Sequence, residues 1–153
     1  MMKRIGRVIS LMSILVLVLA TAAWAQPKPG GGQGRGWGVS GPYSRIYNPK
    51  TVETLSGEVV SVDKFTPGKR MAYGVHFTLK TEKETIPVHL GPGWYMEKQA
   101  VTIAAGDKVE VTGSRIMYQG KPAIIAAEVK KGDQVLQLRD ASGVPAWAGQ
   151  RRQ

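Results

Sequence analysis

Apolar and polar residues alternate most regularly across residues 71–90. Tyr73, Val75, Phe77 and Leu79 fall on one side of an extended chain, with Gly74, His76 and Thr78 on the other. Beyond residues 81–84, Ile86, Val88 and Leu90 alternate with Thr85, Pro87 and His89. A period of two with one apolar face is the pattern of a half-buried strand. The short connection predicts a hairpin. If Lys80 pairs with Thr85, then Phe77 faces Val88, Val75 faces Leu90 and His76 faces His89. The only two histidines of the chain would then share a face, which a slip of one residue would undo.

The same reading extends in both directions. TLSGEVVSVDKF (54–65) predicts a first strand, with Gly57 suited to a bulge or tight bend. TPGKR (66–70) is a turn, and Gly91-Pro92-Gly93 ends the third strand. WYMEKQA (94–100) predicts a short helical turn. GDKVEVTGSRI (106–116) and KPAIIAAEVK (121–130) are strands four and five, and QVLQLR (134–139) is a short sixth. Trp147 is expected to pack back on the domain. Five short strands with a helical turn after the third predict an all-β domain, a small five-stranded OB-like barrel with a C-terminal strand extension. Closure would pair the edges that an open sheet leaves bare. An SH3-like barrel is the competing architecture. Trp94 or Tyr95 is expected to seal one end.

The N-terminus changes the picture of where the domain works. Lys3, Arg4 and Arg7 precede an apolar run, and Ala23-Trp24-Ala25 supplies small residues for cleavage. Residues 1–25 therefore predict a cleaved signal peptide, a periplasmic or secreted product, and no stable transmembrane anchor after cleavage. Residues 26–50, rich in Gly and Pro, predict a flexible linker. The domain is expected over 51–148 and a frayed tail over 149–153. There is no cysteine, which excludes disulfides, thiolate catalysis and covalent haem. The formal charge of +10 falls to +7 once the signal is removed. That basicity suits a polyanion but does not select one.

The stretches SGEVVSVDK, VHLGPGWYM, GDKVEVTGS, AIIAAEV and LRDASGVPAW resemble small exported bacterial proteins with an OB-like domain. A looser similarity is to periplasmic copper-handling OB barrels, which hold the metal with one His, two Met and a capping Trp. That resemblance implies copper held by His76 or His89 with Met96, and Trp94 as the cap. The second methionine has no local match, because Lys98 stands where it is wanted. Met71 or Met117 would have to replace it.

Three classes of function follow. Imidazole and thioether donors at His76, His89, Met96 and Met117 suit a soft metal such as copper. Trp94, Tyr95 and Tyr118 as an aromatic surface or lid, with Lys69, Arg70, Arg115, Lys121, Lys130 and Lys131 as charges, suit single-stranded nucleic acid or another polyanion. A non-catalytic binding or adaptor module of the bacterial envelope, with a protein partner there, needs only exposed loops. No nucleophile-base-acid grouping or phosphate loop appears, so neither a catalytic residue nor an enzyme is expected.

Overall fold

The computed structural model describes residues 36–39, 41–68 and 70–148. The expected signal peptide, the first part of the expected linker, Lys69 and the expected tail lie outside the described residues. Two short 3-10 turns, Ser44–Ile46 and Pro49–Thr51, lead into β1 (Val52–Phe65), β2 (Gly74–Lys80), β3 (Thr85–Pro92), α1 (Gly93–Met96), β4 (Lys108–Tyr118), β5 (Lys121–Lys131) and β6 (Gln134–Gln137). No helix among the described residues is long and apolar enough to cross a membrane.

The strands form one six-stranded sheet in the order β3-β2-β1-β4-β5-β6. This corrects the expected five-stranded OB-like barrel. The sixth strand is a full member of the sheet, paired with β5 from Glu128–Gln137 to Lys131–Gln134. Strands β3 and β5 meet through two parallel pairs, Val88–Ile124 and His89–Ile125. The sequence pattern marks strands but carries no signal for how the outer ones meet.

Strand β1 organises the sheet because it is long enough for two partners. Its first half pairs with β4 and its second half with β2. The register shifts between Val59 and Ser61, two positions beyond the glycine expected to bend it. Gly57 serves another purpose. A Cβ there would collide with the carbonyl oxygen of Lys80, so glycine lets the end of β2 approach.

The β2–β3 hairpin has the expected Lys80–Thr85 closure and the expected His76–His89 and Phe77–Val88 pairs. A bulge between Val75 and His76 then moves Val75 opposite Gly91 rather than Leu90. Strand β3 takes in Gly91 and ends at Pro92, inside the expected Gly-Pro-Gly stop. Phe77, Leu79, Val88, Leu90, Val111, Ile124, Leu136 and Leu138 are all buried in the core. Each such side chain contributes about 1.5–3 kcal/mol by leaving water.

The expected flexible linker is packed where it is described. Trp37, Tyr43 and Tyr47 are buried and join the core. Trp37 Nε1 donates to the carbonyl oxygen of Ala72 at 2.8 Å, and Trp147 Nε1 donates to that of Trp37 at 2.9 Å. The Asn48 side chain accepts from the Lys50 N–H, and Ser114 Oγ accepts from the Asn48 N–H. Gly and Pro dominate the composition of this arm, but its few aromatics bury enough area to hold it down.

Candidate functional site

His76 and His89 stand side by side on β2 and β3, with ring centroids 6.0 Å apart and planes 26° from parallel. Phe65, at the end of β1, touches both, at 5.1 Å from His76 and 4.4 Å from His89. Asp63 pairs with His76 in the β1–β2 register, so Asp63, His76 and His89 form a row across three strands. Exposure falls along it, from a 57% exposed Asp63 side chain and 24% for that of His76 to 2% for His89. Asp63 Oδ2 lies 4.0 Å from His76 Nε2. This acidic neighbour escapes the sequence reading because only the β1–β2 register reveals it.

The two imidazoles have different surroundings. His89 Nδ1 lies 2.8 Å from the Tyr43 hydroxyl, and the Tyr118 ring meets His89 edge-on at 4.8 Å. Burial, then the neighbouring His76 and Arg139, push the His89 pKa down to about 3. It is a neutral base at neutral pH. His76 Nδ1 is buried and has no hydrogen-bond partner. Both histidines line a cleft of about 500 Å³ with Phe65, Thr78, Tyr118 and Lys121.

Behind the histidines lies a residue that the sequence reading passes over. Arg139 is buried. Its guanidinium donates to the carbonyl oxygens of Leu90 at 3.0 Å and Ala126 at 2.5 Å and lies 4.8 Å over the Trp147 ring. Burial lowers its pKa to about 10, against the opposing influence of Tyr43 and Tyr47. It stays charged at neutral pH. Only its non-local packing distinguishes it from an ordinary strand-end arginine.

The other expected site residues disperse. Met96 lines a separate groove with Val62, Val75 and Leu90, and Met117 is 64% exposed on β4. Neither lines the histidine cleft. Among the described residues, no group of three or more His, Asp or Glu stands close enough to hold a metal ion. Tyr95 is buried with its ring 5.2 Å from that of Trp147, and Trp94 packs edge-on against Tyr95. Trp94 Nε1 is buried without a partner.

Several of the basic residues are occupied. Arg115 holds both Glu53 and Glu84. Lys131 pairs with Asp107 at 2.9 Å and Lys130 with Glu128 at 3.5 Å. Arg70 lines a different cavity, beside Tyr43 and Met71. Among the described residues, Lys121 alone of the expected cations lines the histidine cleft. The described members of the basic set therefore do not converge on the histidine cleft.

Fold and site together define a mostly-β single-sheet protein whose aromatic N-terminal arm packs against His89, the buried member of a histidine pair. The chain belongs to the MamS/MamX magnetosome protein family, whose model matches residues 51–136, more than half of it. It is also similar to the alanine racemase of Geobacillus kaustophilus (strain HTA426), 27% identical over 108 residues. The alanine racemase of Geobacillus stearothermophilus is 28% identical over 108 residues. Each match covers 63% of this chain and 28% of the enzyme, so the chain spans well under a third of those enzymes. These findings correct the expected kinship with periplasmic OB-fold and copper-handling proteins.

Proposed function

We propose that this protein is a non-catalytic binding module serving a magnetosome assembly, with the histidine cleft as the place where it receives a partner's polar group. The observation that carries this reading is the buried, unpartnered His76 Nδ1 beside an open cleft of about 500 Å³. A buried polar atom without a partner costs about 1–3 kcal/mol, and such atoms are few in folded proteins. A bound group that hydrogen-bonds this nitrogen would recover that cost. Phe65 and Tyr118 supply apolar walls, and Lys121 favours an anionic or carbonyl-bearing partner. Export by residues 1–25 suits a role on an envelope or compartment surface.

The test uses magnetosomes isolated from a strain lacking the chain, mixed with the purified protein. The native chain should sediment with them. His76→Phe and Lys121→Glu should reduce the bound fraction several-fold, while Lys130→Glu, outside the cleft, should not. Equal sedimentation of all four proteins would remove the cleft from the function. No sedimentation of any would remove the assembly role.

A further inference from the structure

The aromatic residues connect into one path across the molecule. From Trp94 on α1, ring centroids follow at 6.2 Å to Tyr95, 5.2 Å to Trp147, 6.2 Å to Trp37, 4.9 Å to Tyr43 and 6.4 Å to Tyr118. All three described tryptophans lie on it. Trp94 and Tyr118, at its two ends, are partly exposed, and the four rings between them are buried. Core packing alone accounts for rings in contact. It does not account for the Tyr43 hydroxyl, since phenylalanine would fill the same space without burying a polar group. That hydroxyl meets a nitrogen base, His89 Nδ1, at 2.8 Å.

We propose that Tyr43 and His89 form a redox-active pair, served by this aromatic path and oxidised by a metal-centred one-electron oxidant that docks at Trp94 or Tyr118. In the forward step one electron leaves the Tyr43 phenol and passes along the path to the oxidant, which is reduced by one electron. The O–H bond of Tyr43 breaks, and its proton forms an N–H bond at His89 Nδ1. The products are a neutral phenoxyl radical and an imidazolium. The reverse step returns one electron to the ring and the proton to the oxygen.

Three features of the site suit that step. His89 is neutral, so with Nδ1 as acceptor its own proton sits on Nε2 and a lone pair faces the hydroxyl. Burial holds Tyr43 in its phenol form, and an oxidised phenol is a far stronger acid than an imidazolium. Arg139 lies over Trp147, and a fixed positive charge disfavours a cationic radical on that ring. Of the buried rings, Tyr43 is the one that can shed the added charge by passing a proton to an adjacent base.

The experiment is oxidation of the full-length protein by photogenerated ruthenium(III) tris-bipyridyl, with the radical identified by freeze-quench electron paramagnetic resonance. A neutral tyrosyl signal is expected in the native chain and in Tyr47→Phe, and its loss in Tyr43→Phe. In His89→Gln the amide oxygen can still accept the hydroxyl, but it is no base at neutral pH. The signal should move from tyrosine to tryptophan. A tyrosyl signal that survives Tyr43→Phe, or is unchanged in folded His89→Gln, overturns the proposal. If near-UV circular dichroism shows that a variant has not folded, the native chain decides. Radical formation should slow in D2O, because the O–H bond breaks in the same step, and an unchanged rate overturns the pair.

Discussion

His89 carries no charge at neutral pH because burial, His76 and Arg139 all oppose its protonation. In the unfolded chain the same ring takes up a proton near its ordinary value of 6.5. Between pH 6.5 and about 3 the unfolded state therefore binds the extra proton, and stability falls as the pH falls. The slope from this one group is up to about 1.4 kcal/mol per pH unit. Urea unfolding midpoints measured across that window should decline for the native protein, and His89→Gln should flatten the decline. A native chain with a flat profile there would mean that His89 is not sequestered. Arg115 is the contrasting case. It is about one-third exposed while holding Glu53 and Glu84, so solvent screens the pairs. Arg115→Ala should cost only about 1 kcal/mol, read from the urea midpoint. Glu84 is held below the usual carboxylate range chiefly by its hydrogen bond to Arg115. That contribution is present above the ordinary carboxylate pKa and disappears as acid protonates Glu84.

The arm and the hairpin constrain each other at Gly74. A Cβ at this position would meet the Trp37 ring and Phe65. Gly74→Ala must therefore displace the arm or the end of β1, at about 1–3 kcal/mol of overpacking. Limited proteolysis should show faster cleavage near residues 38–47 in that variant, while the β-sheet circular dichroism is kept. The individual strands, the short helix and the His76–His89 pair were all legible from alternation and turn residues, because those signals are local. The bulge that moved Val75 opposite Gly91 was not, since it depends on β3 continuing as far as Pro92. The pairing of Arg115 with Glu53 and Glu84 joins positions 62 and 31 apart, beyond any periodicity. The arm was misread because Gly and Pro outweigh Trp37, Tyr43 and Tyr47 in its composition, whereas the buried area of those three decides its fate.

In the whole molecule the sheet and arm share one core, so the arm should be a condition of stability. A chain beginning at Asn48 loses three buried aromatics, when losing a single Phe or Trp side chain from a core typically costs about 3–5 kcal/mol. Small domains are stable by only about 5–15 kcal/mol in total. The shortened chain should melt at a much lower temperature. In the fraction that remains folded, the His89 resonances should titrate closer to the ordinary histidine value. An unchanged melting temperature would return the arm to the status of a tether. The Trp147–Trp37 hydrogen bond, spanning 110 positions, has another consequence. Synthesis delivers the second of these rings 110 positions after the first, so the first cannot settle on its partner until all the strands between them have been made. Because they meet in space, a gene that splices the two neighbourhoods together and opens the loop at residues 81–84 should yield a circular permutant with the same sheet order. Such a protein would acquire its aromatic seal before its final strands emerge.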